Sequence, residues 1–280
     1  MTNQKIILVT GGTSGIGRET VKGLASTGAT IVFTARDIKK GEDTKREIRN
    51  ETGNNSVEYL MCDLASFPSI RECVEEFKKR YQRLDVLINN AGVLSQERQE
   101  SIDGIEFNFA VNYLAPFLLT NLLLPLLKQS APSRIVNVSS SMHIEGKINF
   151  EDLESKKSFD KYKAYAQSKL ALILFTKKLA KELSNDEVTV NALNPGVVGT
   201  EMTMQNVRTL NPIVAFIYRR TLITATKGAE TSIYLAISSD VANISGKYFE
   251  NKKITKTSPR ADDEESANKL WNIATEMVEL

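Results

Sequence analysis

Tyr165 and Lys169 stand four residues apart in a segment with the apolar spacing of a helix, so their side chains share one helical face. A free tyrosine side chain titrates near pH ~10. A neighbouring ammonium group favours the tyrosinate and lowers that pKa, which lets the phenol exchange a proton with a substrate oxygen. The pair predicts an acid–base site, although a surface pair with no chemical role has the same spacing.

Polar and small residues at the ends of two predicted strands supply further candidates. Ser140 lies at the end of one strand, and Asn89, Ala91 and Gly92 lie at the end of the strand before it. Carboxyl ends of strands in open α/β sheets form the edge where ligands bind. Each motif alone is also typical of an ordinary turn, as Asn112 is of local hydrogen bonding in a helix. Together they predict one crevice.

A glycine-rich segment, Thr10 to Gly17, joins the first predicted strand to the first predicted helix. Glycines let backbone N–H groups approach a pyrophosphate, and the helix N-terminus adds partial positive charge. This order of strand, loop and helix predicts a dinucleotide-binding loop rather than a plain turn. The predicted binding positions are Gly11, Thr13, Ser14, Gly15, Ile16 and Gly17.

The residue that ends the second strand discriminates between cofactors. An NAD site normally carries an acidic residue there, about 20 positions beyond the loop, to bind the ribose hydroxyls. This sequence has Arg36, whose guanidinium matches a 2′-phosphate in shape and charge, and Arg18 offers a second such group. The prediction is NADP(H), with NAD(H) less favoured. The alternative is that Arg36 is a solvated surface residue.

Short β-branched runs alternate with longer segments of helical period, which is typical of βαβ units around a parallel sheet. The predicted strands are Lys5–Thr10, Thr30–Ala35, Val57–Cys62, Val86–Asn89, Arg134–Ser139, Thr189–Leu193 and, more weakly, Lys247–Glu250. The predicted helices are Ile16–Thr27, Ile38–Glu51, Ser69–Tyr81, Phe107–Lys128, Tyr162–Ser184, Lys227–Ser238 and a C-terminal helix over 262–279. We therefore expect an α/β fold over 1–280, a single Rossmann domain whose doubly wound parallel sheet has about seven strands.

Charge and cysteine content exclude several classes of protein. The 36 basic and 34 acidic residues are mixed along the chain, which disfavours nucleic-acid binding. The two cysteines, Cys62 and Cys73, are too few for a disulfide framework and have no histidine beside them to complete a metal site. A reducing, cytoplasmic location is expected. The single histidine, His143, is interpreted as a loop residue beside the crevice.

Apolar segments raise the question of membranes. The first apolar run, Ile6–Val9, is too short for a signal peptide or a span, and the run from Tyr113 to Leu127 is interrupted by prolines and fits a buried helix. A third apolar segment, 207–224, lies within a region of about 200–226 that we interpret as a substrate lid. A core-packed connecting helix fits the segment about equally well, and an interfacial membrane contact is a third alternative.

The ordered motifs resemble those of the short-chain dehydrogenase/reductase family over nearly the whole chain. They comprise the glycine loop, Asp63-Leu64, Asn89 to Gly92, Asn112, Ser140, Tyr165, Lys169 and Pro195-Gly196. Finer matches at 146–150, at 246–249 and at Leu270-Trp271 resemble the retinol dehydrogenase branch. The resemblance implies an NADP(H)-dependent oxidoreductase that interconverts an alcohol and an aldehyde or ketone, with an apolar, retinoid-like or other lipophilic substrate.

The resemblance also implies a role for each matching residue. Tyr165 would donate or accept the proton, Lys169 would bind the nicotinamide ribose and lower the tyrosine pKa, and Ser140 would orient the carbonyl. Asn112 would hold a water in a proton relay. The implied cofactor contacts are Asp63 and Leu64 at the adenine, Asn89, Ala91 and Gly92 along the cofactor, and Pro195, Gly196, Val198 and Thr200 over the nicotinamide. Self-association through the helices 107–128 and 162–184 is a further implication.

Two other functions compete with this one. A protein that binds the cofactor without turnover, as a sensor or scaffold, is disfavoured because Ser140, Tyr165 and Lys169 are all present. A sugar-nucleotide epimerase of the extended branch is disfavoured by the glycine spacing and the short substrate region. Turnover of a simple aldehyde with net NADPH oxidation distinguishes the oxidoreductase from both alternatives.

Overall fold

One sheet contains all the strands of the computed structural model, which describes residues 4–207 and 222–280. The strands are β1 (Ile6–Val9), β2 (Thr30–Ala35), β3 (Val57–Met61), β4 (Val86–Asn89), β5 (Ser133–Val138), β6 (Val188–Asn194), β7 (Tyr248–Glu250) and β8 (Lys253–Ile254). Their order is β3-β2-β1-β4-β5-β6-β7-β8, and only the β7–β8 pair is antiparallel. Strands β2 and β3 are thus added on one side of β1, and β4 to β8 follow on its other side. The order in which strands are added therefore reverses between β1 and β4.

Helices cover both faces of the sheet. They are α1 (Gly15–Ala25), α2 (Ile38–Thr52), α3 (Phe67–Arg80), α4 (Phe107–Gln129), α5 (Lys161–Glu182), α6 (Glu201–Val207), α7 (Ala225–Ile237) and α8 (Glu264–Met277). Apolar residues of α1, α2 and α7 form one core, and those of α3, α4, α5 and α8 form the other. The predicted doubly wound α/β fold is confirmed, and burial on both faces explains why its strands are apolar throughout.

Helix starts differ from the predicted ones where a capping residue sets the boundary. Helix α3 begins at Phe67, before the predicted Ser69, because the Ser66 hydroxyl accepts a hydrogen bond from the Ser69 N–H. Pro68 fits this first turn because its missing N–H has no partner to lose there. Asp160 likewise accepts from backbone N–H groups at the start of α5.

The eighth strand was not predicted. It follows β7 through Asn251 and Lys252, whose φ angles are 49° and 63°. Two consecutive residues with positive φ are typical of a two-residue hairpin turn. Such turns usually contain glycine. Because the turn here has none, the sequence did not indicate a hairpin at this position.

Helix α4 contains a π-helical turn, Ala110–Leu114. Pro116 has no N–H to donate to the carbonyl of Asn112 four residues earlier, so a regular α-helix cannot continue through this point. The helix is apolar enough to cross a membrane, with a mean hydropathy of 1.6, but 72% of that apolar stretch is buried in the protein. It is a core helix, as its sequence predicts.

The C-terminal helix α8 packs against α4 and α5. The Trp271 ring lies 5.0 Å from the Phe117 ring and 5.8 Å from the Phe175 ring, centroid to centroid. Leu270 and Ala274 are fully buried beneath it. Helix α8 thus covers part of the two helices through which the family resemblance implies self-association.

Candidate active site

A cavity of about 360 Å³ lies at the carboxyl edge of the sheet. It opens between β1 and β4, where the order in which strands are added reverses. Doubly wound sheets bind ligands at this point. The predicted residues that line it are Gly11, Thr13, Ser14, Gly15, Ile16, Gly17, Arg36, Asp63, Leu64, Ala91, Gly92, Ser140, Tyr165, Lys169, Pro195, Gly196, Val198 and Thr200. The fold therefore brings motifs from both halves of the chain to one site.

The glycine loop has a shape that larger residues would disrupt. Gly11 has a φ of 68°, in the left-handed region that favours glycine, and its N–H donates to the Thr34 hydroxyl at 3.0 Å. A Cβ on Gly17 would lie 2.1 Å from the Gly11 carbonyl oxygen and 2.5 Å from Asn90 Nδ2. The Asn90 amide in turn donates to the Thr10 carbonyl at 2.8 Å. These contacts hold the loop against the end of β4.

The N-terminus of α1 has no side-chain cap. Ser14 occupies the N-cap position, but its hydroxyl accepts no hydrogen bond from the helix, whereas Asp37 caps α2 and Ser66 caps α3. The N–H groups of a first turn that lack such a cap can bind an anion. Ser14, Gly15 and Ile16 all face the cavity, so this helix end fits the pyrophosphate of a dinucleotide.

The two arginines predicted to bind a 2′-phosphate lie in different surroundings. Arg36 is exposed, lines the cavity and forms no ion pair within residues 4–207 and 222–280. Arg18 does not line the cavity, because its guanidinium pairs with Glu47 at 3.0 Å and Glu51 at 2.7 Å on α2. Arg36 therefore faces the cavity and Arg18 joins α1 to α2, and the predicted contact of each with a 2′-phosphate stays a prediction.

Asn89 also lies away from the cavity. Its buried amide donates to Thr120 Oγ1 at 3.0 Å and to Asn137 Oδ1 at 2.8 Å. The neighbouring Asn90 lines the cavity instead. Successive side chains of a strand point to opposite faces, so the last residue of β4 turns toward α4 and the next one turns toward the loop. Asn90 therefore lines the cavity and Asn89 does not, and the cofactor contact expected at Asn89 stays a prediction.

Ser140, Tyr165 and Lys169 meet where α5 crosses the end of β5. The Ser140 hydroxyl is close enough to the Tyr165 phenol to hydrogen-bond with it. Lys169 Nζ lies 5.6 Å from the centroid of the Tyr165 ring and donates to the Val138 carbonyl at 3.0 Å. The Ser139 hydroxyl donates to the Lys169 carbonyl at 3.0 Å, which ties the strand end to the helix.

Burial controls the protonation of this group. It raises the pKa of Tyr165 to about 12, and the hydrogen bond from Ser140 lowers that pKa by less. Burial also lowers the pKa of Lys169 to about 8. Burial is therefore the largest influence on the pKa of Tyr165, and the expected lowering of that pKa by Lys169 stays a prediction. Tyr165 is protonated at neutral pH.

Asn112 braces the site without lining the cavity. Its Oδ1 accepts from the Val93 N–H at 2.8 Å, and its Nδ2 donates to the Val93 carbonyl and the Ser168 hydroxyl, each at 2.9 Å. A Cβ on Gly92 would lie 3.1 Å from Lys169 Nζ and 3.3 Å from Asn112 Oδ1. The side chain therefore joins the loop after β4 to α5 beside Lys169. Its implied role in holding a water stays a prediction.

Residues 5–211 match the family model described as short chain dehydrogenase. The chain belongs to the short-chain dehydrogenase family. Retinol dehydrogenase 13 of Mus musculus is 43% identical over 285 residues, which cover 99% of this chain and 84% of that protein.

Solved structures agree with this assignment. An uncharacterised protein of Mycobacterium paratuberculosis superposes with a TM-score of 0.80 at 30% identity, covering 99% of this chain and 94% of that one. RhlG of Pseudomonas aeruginosa, solved as an active-site complex with NADP, has a TM-score of 0.72 at 29% identity, covering 88% and 93%. The short-chain dehydrogenase described here is an oxidoreductase that acts on CH–OH groups with a nicotinamide dinucleotide.

Several residues that line the cavity of this short-chain dehydrogenase were not predicted. They are Thr34, Ala35, Cys62, Ala65, Asn90, Val93, Val111, Val138, Ser139, Glu201 and Thr203. Most of them adjoin a predicted residue at the carboxyl end of a strand, so extending each motif by one or two positions would have found them. The lid segment, 207–224, lies mostly outside the described residues.

Proposed function

We propose that this dehydrogenase interconverts an apolar alcohol and its aldehyde or ketone with NADP(H), and that Tyr165 donates or accepts the proton. The observation that carries the proposal is the junction of Ser140, Tyr165 and Lys169 at the sheet edge, in the same cavity as the glycine loop. A half-buried acid beside a dinucleotide loop is the arrangement that separate transfer of a hydride and a proton requires.

The cavity residues fit the cofactor at both ends. The uncapped N-terminus of α1 would hold the pyrophosphate. The guanidinium of Arg36, which forms no ion pair with any described residue, would bind the 2′-phosphate that distinguishes NADP from NAD. Asp63 would lie at the adenine and Lys169 at the nicotinamide ribose. When bound, the cofactor supplies or accepts the hydride. The NADP complex of RhlG supports this choice of nucleotide.

The protein supplies the proton and the orientation. In carbonyl reduction Tyr165, whose burial keeps it protonated at neutral pH, would donate to the substrate oxygen. The Ser140 hydroxyl would orient that oxygen toward the phenol. The Lys169 ammonium over the ring would stabilise the tyrosinate as it forms. Alcohol oxidation uses the same groups with the proton moving in the opposite direction.

Two further features belong to the proposal. The name of a relative that is 43% identical, retinol dehydrogenase 13, supports an apolar, retinoid-like substrate, and other lipophilic carbonyl compounds satisfy the same chemistry. Cys62 and Cys73 are free thiols, which is consistent with a reducing cytoplasm.

The test is to follow NADPH oxidation with a panel of lipophilic aldehydes and ketones that includes retinal, with NADH assayed in parallel. We expect turnover that prefers NADPH and is lost in Tyr165→Phe. Equal use of NADH would overturn the assignment of the nucleotide. Bound NADPH with no turnover across the panel would instead favour the sensor or scaffold function.

A further inference from the structure

His143 is buried directly behind the proposed catalytic serine. It lies on the short 3₁₀ helix Ser141–Ile144 and is only 1% exposed, although its sequence context indicated a loop residue. Its Nδ1 lies 2.7 Å from the Ser140 carbonyl oxygen, and the Ser258 N–H donates to its Nε2 at 3.3 Å. Because Nε2 accepts, Nδ1 carries the proton and donates to Ser140. The imidazole is therefore neutral, as its burial also favours.

The backbone at Ser140 depends on this contact. Strand β5 ends at Val138, and the last ladder hydrogen bond runs from the Ser139 N–H to the Leu193 carbonyl at 2.8 Å. Beyond it, the Ser140 carbonyl accepts from the His143 N–H at 3.2 Å and from Nδ1 at 2.7 Å. The orientation of this peptide group determines where the Ser140 side chain points.

The other end of the bridge is anchored in the C-terminal part of the chain. Ser258, 7% exposed, is next to Thr257, whose hydroxyl accepts from Lys177 Nζ on α5 at 2.8 Å. Arg260 Nη1 donates to the Gly146 carbonyl at 3.2 Å, just beyond the 3₁₀ helix. The Tyr248 ring packs edge-on against the imidazole with centroids 4.8 Å apart. Helix α5, strand β7 and the 255–262 segment thus hold the ring in place.

We propose that His143 is a positioning residue: its Nδ1–H donates to the Ser140 carbonyl and thereby holds the Ser140 hydroxyl against the Tyr165 phenol, while the Ser258 N–H at Nε2 keeps the proton on Nδ1. The inference rests on the proposed function, since that function assigns Ser140 and Tyr165 to the reacting oxygen. If His143 only filled space, kcat would not depend on the hydrogen bond that its Nδ1 proton makes. The two roles can be separated because each ring nitrogen has its own partner.

Three substitutions at His143 distinguish the contributions of its two hydrogen bonds and of its ring packing. In His143→Asn the amide nitrogen follows Cγ as Nδ1 does, so the hydrogen bond to Ser140 is retained and the one from Ser258 is lost. His143→Gln places its amide oxygen near the Nε2 position, which retains the Ser258 contact and loses the Ser140 contact. His143→Phe retains the ring packing and loses both. Glu145→Gln, on an exposed neighbour, is the matched control.

The readouts are kcat, KM for NADPH and carbonyl, and the thermal midpoint of each purified variant. We expect kcat to fall about tenfold or more in His143→Gln and His143→Phe, to stay within about threefold of the parent in His143→Asn, and to be unchanged in Glu145→Gln, with KM for NADPH within about twofold throughout. Folded Gln and Phe variants with the parental kcat would overturn the proposal. An Asn variant as impaired as the Phe variant would overturn it too.

Failure of the proposed function gives a different result. If Tyr165→Phe turns over as fast as the parent, then the assignment of the proton donor is wrong, whatever the His143 variants do. If Tyr165→Phe is inactive while all folded His143 variants are fully active, then only the positioning role is wrong. A thermal midpoint that falls without a change in kcat identifies a purely structural histidine.

Discussion

Lys169 lies over the face of the Tyr165 ring, with its Nζ atom 5.6 Å from the ring centroid. Burial is the largest influence on the pKa of both groups: it raises the pKa of Tyr165 to about 12 and lowers the pKa of Lys169 to about 8. A phenol that holds its proton at neutral pH is suited to donate it to a carbonyl oxygen. The same geometry lets the ammonium stabilise the phenolate only once it has formed.

Tyr165→Phe removes the proposed proton donor and leaves the aromatic ring in place. We expect turnover to fall at least about 100-fold, the usual contribution of a positioned general acid, with NADPH affinity nearly unchanged. Steady-state kinetics and fluorescence titration with NADPH measure the two effects. The matched control is Tyr162→Phe, an exposed tyrosine on the same helix, which should behave like the parent. More than a few per cent of residual activity in Tyr165→Phe would contradict the assignment.

Lys169→Met tests the lowered pKa of the buried lysine. An unfolded chain keeps this proton up to pH ~10.5, whereas the folded protein loses it near pH 8, so between these values the unfolded state binds more protons and stability rises with pH. The free energy of unfolding of the parent, relative to Lys169→Met, should rise by about 1.5 kcal/mol between pH 8 and 9.5. Urea denaturation at several pH values measures it. A difference that is independent of pH would mean that Lys169 keeps its charge when folded.

Arg36→Asp is expected to shift the kcat/KM preference from NADPH toward NADH by at least about tenfold, because a carboxylate repels a 2′-phosphate and accepts hydrogen bonds from ribose hydroxyls. Arg18→Ala is the matched control. Since the Arg18 guanidinium pairs with Glu47 and Glu51, its loss should leave the preference unchanged. Kinetics with both nucleotides test the pair. A shift in the Arg18 variant alone would assign the phosphate contact to that residue.

Asn112→Asp should destabilise the fold by about 2–4 kcal/mol. The change removes the donor that serves the Val93 carbonyl and the Ser168 hydroxyl, and each buried group left without a partner costs about 1–3 kcal/mol. Asn121→Asp is the control on the same helix, because Asn121 is half-buried and, within the described part of the chain, donates to the Phe117 carbonyl alone. Chemical denaturation of both variants gives the comparison. If both variants lose the same free energy of unfolding, then the hydrogen bonds of Asn112 beside Lys169 contribute no more to stability than that of Asn121.

Trp271→Ala removes the aromatic contacts that attach α8 to α4 and α5. Because the side chain is half-buried, we expect a loss of about 2–3 kcal/mol, below the range for fully buried tryptophans. The exposed neighbour Asn272→Ala should cost nothing measurable. Helix α8 contributes no residue to the cavity lining, so the folded Trp271 variant should keep its kcat. If the variant is fully folded under the assay conditions and its kcat is still reduced, then α8 affects the geometry of the active site.

Local features of the sequence were sufficient to predict much of this protein. Apolar periodicity predicted seven of the eight described strands and every helix named above except α6, since a pattern of burial follows directly from the repeat of a strand or helix. The glycine loop, the end of β5 and the spacing from Tyr165 to Lys169 were each visible in a few consecutive residues. Parallel strands end at a common edge, so these motifs could be assigned to one site before any contact was known.

Other properties depended on contacts between distant segments. Which of Asn89 and Asn90 faces the cavity depends on the pleat of β4, and Arg18 is occupied by carboxylates that only the packing of α1 on α2 brings within reach. The direction of the pKa changes at Tyr165 and Lys169 follows from burial by the whole fold, which no single spacing encodes. Spacing along the chain thus determined which groups could meet, and tertiary packing decided their partners, exposure and charge.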